Sequence, residues 1–92
     1  MIESFHCKDT QALFEGKCPR KLKAIAAIAE RKLQMLDNAF ALEDLRTPPG
    51  NRLEALRGSR KGFWSIRIND QWRICFRFES GNVFDVEIID YH

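Results

Sequence analysis

The chain is poor in the residues that staple, anchor or break a protein. Its 92 residues hold three cysteines, three prolines, five glycines, two histidines and one tyrosine. Three cysteines cannot all pair, and Cys7, Cys18 and Cys75 lie far apart, with no C-x-x-C and no paired-histidine spacing. That argues against a disulfide framework and against a structural zinc site. Cys75, inside a strand pattern, reads as a small strand residue. No apolar run approaches the roughly 18 residues of a membrane helix, and Met1-Ile2-Glu3-Ser4-Phe5 is not a secretory signal. A cytoplasmic protein with no membrane partner is expected. Repeats and low-complexity tracts are absent too, and the length allows one small domain, residues 1–92, with one core.

What the chain does have is unevenly placed charge. The formal net charge is only +2. Residues 52–77, however, carry Arg52, Arg57, Arg60, Lys61, Arg67, Arg73 and Arg77 against Glu54 and Asp70, a net of +5, which leaves the rest at −3. Such asymmetry suggests a surface that faces a polyanion, with nucleic acid the usual candidate.

The apolar pattern divides the chain in two. Ile2–Phe5 is a short strand candidate, and Asp9 or Thr10 can cap a short helix that Gly16 ends. Pro19 suits a first helical turn, and Leu22, Ile25, Ala29, Leu33 and Leu36 then form a stripe on a helix over about Arg20–Asp37. Lys21, Lys23, Glu30, Arg31 and Gln34 occupy its other face, either solvated or touching RNA. Ala41–Arg46 allows one more turn. Thr47-Pro48-Pro49-Gly50-Asn51 is the clearest break. Beyond it the period becomes two: Arg52–Leu56, then the basic loop Arg57-Gly58-Ser59-Arg60-Lys61-Gly62, then Phe63–Ile68, Trp72–Phe78 and a strand from Asn82, joined by short turns. Helices followed by an antiparallel meander make an α+β fold.

The alternation also predicts a register. Trp64, Ile66, Ile68, Trp72, Ile74, Phe76, Phe78, Phe84, Val86 and Ile88 should form the core face, pairing Ile68 with Trp72 and Phe78 with Phe84. The other face then carries Ser65, Arg67, Arg73, Cys75, Arg77, Asp85, Glu87 and Tyr91. Arg77 falls opposite Asp85, an ordinary ion pair. Arg67 falls opposite Arg73, with Tyr91 diagonal to Arg73. Two like charges side by side destabilise a sheet. They form either an anion site suited to phosphate or two long side chains splayed into water.

RNA cleavage without a metal needs a base for the 2′-hydroxyl, cations around the crowded phosphate and an acid for the leaving 5′-oxygen. Arg73, with Arg57 or Arg67 nearby, fits the cationic role, because guanidinium stays charged and binds phosphate as a fork. Glu54, Asp90, Tyr91 and His92 are the available proton carriers, and His92 titrates nearest neutral pH. Asp90 and His92 share the parity of the core residues, so the terminus must bend if all three act on one phosphate. No cluster has metal-ligand spacing, so neither a metal nor another cofactor is expected. Arg60 and Lys61 add RNA- or ribosome-binding charge.

These residues also carry a resemblance. Arg52-Leu53-Glu54-Ala55-Leu56-Arg57-Gly58, Gly62-Phe63-Trp64-Ser65-Ile66-Arg67, Trp72-Arg73-Ile74-Cys75-Phe76, the terminal Asp90-Tyr91-His92 and the opening Met1–Phe5 resemble HigB-type toxins of the RelE superfamily, from bacterial type II toxin–antitoxin modules. The resemblance implies a compact microbial ribonuclease-like fold, with two N-terminal helices packed on a mainly antiparallel sheet. It implies an endoribonuclease that enters the ribosomal A site, cuts translated mRNA and stops growth. It implies a HigA-type helix-turn-helix antitoxin, and operator DNA bound through the complex. By the same resemblance Arg57 and Arg73 match basic active-site positions, and Asp90, Tyr91 and His92 match the functional terminus. Glu54 departs from the pattern, standing where members of the family can carry histidine. Two other readings stay open: a basic module that blocks the ribosome or nucleic acid by occupancy, and a co-repressor acting with its antitoxin.

Overall fold

A computed structural model describes residues 1–90; Tyr91 and His92 lie outside the described residues. Helix α1 spans Lys8–Phe14 and α2 spans Ala26–Asn38. Four strands follow: β1 (Glu54–Ala55), β2 (Trp64–Arg67), β3 (Trp72–Glu79) and β4 (Asn82–Asp90). They form one antiparallel sheet in the order β1-β2-β3-β4, and both helices lie against β4. This is the expected α+β arrangement.

The stripe Leu22, Ile25, Ala29, Leu33 and Leu36 is buried throughout, against Ile66, Ile74, Phe76, Val83, Val86 and Ile88 of the sheet. Only the helix type differs, since Arg20–Ile25 winds as a 3₁₀ turn before α2 begins. Thr10 does not cap α1, which starts two residues earlier. It is fully buried, and its hydroxyl accepts a bond of 3.0 Å from the Ile88 amide, tying α1 to β4.

The Pro-rich break is bolted down by one residue. Asn51 is completely buried, its Nδ2 donating to the Leu45 carbonyl at 3.1 Å and the Thr47 carbonyl at 3.4 Å, while its Oδ1 accepts from Lys32 of α2. Burial pushes the Lys32 ammonium below its ordinary value, with Arg31 and Arg67 adding repulsion. Arg52 then adopts a left-handed backbone (φ 44°), so the strand expected over Arg52–Leu56 shrinks to Glu54–Ala55.

Two expectations need correction. Ile2–Phe5 is not a full strand: Ile2 and Phe5 make isolated parallel bridges to Val83 and Val86, which cover the outer edge of β4. The register of β4 also shifts. Ile68 still meets Trp72 through a 2.9 Å backbone bond, and Ile74 still pairs with Ile88. Nearer the turn a bulge intervenes, so Phe78 pairs with Val83 and Arg77 with Phe84. The extra residue is Asp85, in the left-handed region at φ 53°, its amide held by Ser4 Oγ at 2.9 Å. One inserted residue reverses the face of everything before it. Val83, not Phe84, therefore enters the core. Phe84 goes to the other face, where the Arg77 guanidinium lies 5.2 Å from its ring centre, and Arg77 still reaches Asp85 at 2.8 Å.

Candidate active site on the second face of the sheet

The ladder builds a continuous polar row. Glu54 pairs with Ser65, Ser65 with Cys75 and Cys75 with Glu87, so one rung crosses all four strands on the face away from the helices. Arg73 stands beside that rung, opposite Arg67 on one side and Ile89 on the other.

Arg73 is the unusual member, because its side chain is only 9% exposed. Its Nε donates to Ser65 Oγ at 2.9 Å and its Nη2 to the Arg52 carbonyl at 2.7 Å. Glu54 Oε2 lies 3.9 Å from the same Nη2 and is itself 57% exposed. A buried guanidinium held by fixed acceptors loses little side-chain freedom when a further anion arrives, which is electrostatic preorganisation. Ser65 is the part that sequence reasoning left without a role. Its signal was a small hydroxyl residue between Trp64 and Ile66, facing the arginine side.

Arg67 and Arg73 sit opposite each other as expected, but their side chains part. Arg67 pairs with Asp70 across the β2–β3 turn, while Arg73 turns towards Ser65 and β1. They do not make one fork.

The basic loop presents its cations on two sides. Arg57 and Lys61 line an open cavity of about 360 Å³ with Leu56, Phe63 and Trp64. Arg60 points to a second hollow of about 250 Å³, shared with His6, Ser59, Phe63, Asp85 and Glu87, and pairs with Glu87 at 3.6 Å. Beneath it lies the fully buried Cys75, whose thiol burial pushes up; the nearby Arg60 opposes that shift and Glu87 adds to it.

Asp90 pairs with Trp72 on the core-side parity, and its Oδ2 accepts from Gln71 Nε2 at 3.1 Å. The expectations for Tyr91 and His92 fall outside the described residues. Among the described residues no three of His, Cys, Asp and Glu gather in a way that could hold a metal ion, and no helix is long and apolar enough to cross a membrane.

Residues 3–92 match the family described as the RelE-like toxin of the type II toxin–antitoxin system HigB. The chain is 35% identical to the Endoribonuclease HigB of Proteus vulgaris over a 94-residue alignment that covers all of both proteins. It is 55% identical over 51 residues to Toxin HigB-1 of Vibrio cholerae, a stretch spanning 55% of this chain and 54% of that one. Among solved structures it is similar to a point mutant of YafQ from E. coli (TM-score 0.59, 16% identity, 94% of this chain and 89% of that one). It is also similar to the toxin–antitoxin complex YoeB–YefM from Staphylococcus aureus (TM-score 0.56, 14% identity, 100% and 98%). At those identities the structures speak for the fold alone.

Proposed function

Because the chain belongs to the RelE-like HigB toxin family of type II toxin–antitoxin systems, we propose that it is an endoribonuclease that cuts mRNA under translation in the ribosomal A site. The observation that carries this reading is the buried Arg73 guanidinium, fixed by Ser65 and the Arg52 carbonyl with Glu54 beside it. The relative from Proteus vulgaris bears the name endoribonuclease over the full length of the alignment.

The chemistry follows from the groups present. Glu54 takes the proton of the 2′-hydroxyl, whose oxygen then bonds to phosphorus. Arg73 stabilises the charge on the crowded phosphate. The bond to the 5′-oxygen breaks, and that oxygen receives a proton from the Asp90-Tyr91-His92 terminus. The products are a 2′,3′-cyclic phosphate and a 5′-hydroxyl end, with no external reactant. Arg57 and Lys61, with Arg67 further along the face, hold the RNA and ribosome backbone, a sequence-independent attraction.

A toxin of this family is restrained by an antitoxin. Here we assign a HigA-type partner with a helix-turn-helix, through which the complex binds operator DNA. Residues 1–92 then act as one toxin domain, in the cytoplasm where ribosomes are.

Primer extension on cellular mRNA after induction tests the reading. New 5′ ends should appear on translated messages and vanish with Arg73→Ala or with Tyr91-His92 removed. Growth arrest without new 5′ ends would mean inhibition by occupancy instead.

A further inference from the structure

The loop that carries Arg57 and Lys61 has a left-handed glycine near each end. Gly58 (φ +67°) and Gly62 (φ +95°) take backbone conformations that other residues rarely adopt, and no atom lies within 4 Å of where a Cβ would stand on either. Packing does not hold the segment, since residues 57–62 are all exposed. Its internal bonds are local: Arg60 to Arg57 at 3.4 Å, Lys61 to Gly58 at 3.1 Å. Such a segment opens at low free-energy cost.

The tie that reaches across to the sheet is Arg60. Its Nη2 lies 3.6 Å from Glu87 Oε1, with the two side chains 44% and 23% exposed. Glu87 is itself fixed by the β3–β4 ladder opposite Cys75. Here, then, a carboxylate sits under a basic, RNA-facing loop. By charge alone it would repel RNA.

We propose that Glu87 is a positioning residue: by holding Arg60 it keeps the 57–62 loop seated, so that Arg57 and Lys61 meet RNA already in place. Arg60 thereby serves as a latch rather than an RNA contact. The proposal rests on the RNA-cutting function above.

Charge and position make opposite predictions for Glu87→Gln. Removing a negative charge beside RNA should tighten binding; releasing the latch should weaken it. Kinetics of mRNA cleavage on programmed ribosomes, with amide exchange of residues 57–62 in the isolated toxin, separate the two. A partly exposed ion pair of this kind biases its loop by up to about fivefold. KM should therefore rise by about that factor in Glu87→Gln and in Arg60→Gln, with kcat little changed, and the double variant should be no worse than either single one. Exchange in the loop should quicken in all three. A lower or unchanged KM in Glu87→Gln, or additive losses, overturns the proposal. Unchanged loop exchange overturns it as well, whether or not the protein cuts RNA. Should wild-type protein fail to cut RNA, the function falls, and with it the positioning role; loop exchange would then report on the latch alone.

Discussion

Arg73 and Glu54 meet across the sheet at 3.9 Å, the arginine nearly buried and the carboxylate more than half exposed. The contact places a proton acceptor beside the one guanidinium in the row that Ser65 and the Arg52 carbonyl fix from both sides. Glu54→Gln keeps the shape and removes the charge. General-base catalysis contributes about 10²-fold or more, so cleavage on programmed ribosomes should fall by at least that. A half-exposed ion pair contributes at most about 1 kcal/mol, so the melting temperature should fall by no more than about 4–8 °C. Full activity in Glu54→Gln would assign the base elsewhere.

Ser65→Ala tests the other side of the arginine. The variant leaves the buried Nε–H of Arg73 without the Ser65 hydroxyl it bonds at 2.9 Å. Leaving a buried donor short of its partner costs about 1–3 kcal/mol, readable as a lower denaturant midpoint. Cleavage should also fall, because the guanidinium regains rotamers. Lost stability with unchanged cleavage would show that Ser65 only fills space.

Asn51→Ala should rank with core truncations even though a polar residue is removed. It abolishes the bonds to the Leu45 and Thr47 carbonyls and to Lys32. The buried Leu45 carbonyl loses that donor, at a cost of about 1–3 kcal/mol, and the part-buried bonds to Thr47 and Lys32 add less. Unfolding in urea should show a loss of about 2–3 kcal/mol, with an unchanged m-value.

The bulge at Asp85 makes a prediction that a regular strand does not. Val83 is fully buried and Phe84 only partly so. Val83→Ala should cost about 2 kcal/mol, from lost transfer energy plus a cavity. Phe84→Ala, though it removes a larger side chain, should cost less. The opposite ranking would restore the unbroken register.

That inversion shows where the sequence could be read and where it could not. The stripe from Leu22 to Leu36 and the alternation from Trp64 to Phe78 are local periodicities, and both survive folding. The Ser65, Cys75 and Glu87 part of the rung follows from the same alternation, whereas Glu54 joins it only through the β1–β2 pairing. What escaped depends on contacts far apart in the chain. Asp85 bulges where the N-terminal Ser4 holds its amide, 81 residues away, and Arg73 is fixed by a carbonyl 21 residues back. Neither partner has a spacing signal. Arg60, likewise, reads as one more loop cation until the fold sets Glu87 beside it.

Cys75 offers a pH test that follows from its burial. The side chain is fully buried and its thiol is pushed up, chiefly by desolvation, whereas Cys18 is exposed. Below the ordinary thiol value of about 8.5 neither the folded nor the unfolded chain ionises there, so the residue adds nothing to the pH dependence. Above it the unfolded chain releases the proton and the folded chain keeps it. The folded state then binds more protons, and stability falls as pH rises. The stability difference between wild type and Cys75→Ala should therefore shift against wild type as pH rises above about 8.5. At pH 8 iodoacetamide should label Cys18 quickly and Cys75 only after denaturant is added, a pattern that mass spectrometry of the labelled peptides reads directly. Rapid labelling of Cys75 in the native protein would mean that the Arg60 side of the sheet opens far more readily than the Arg60–Glu87 tie allows.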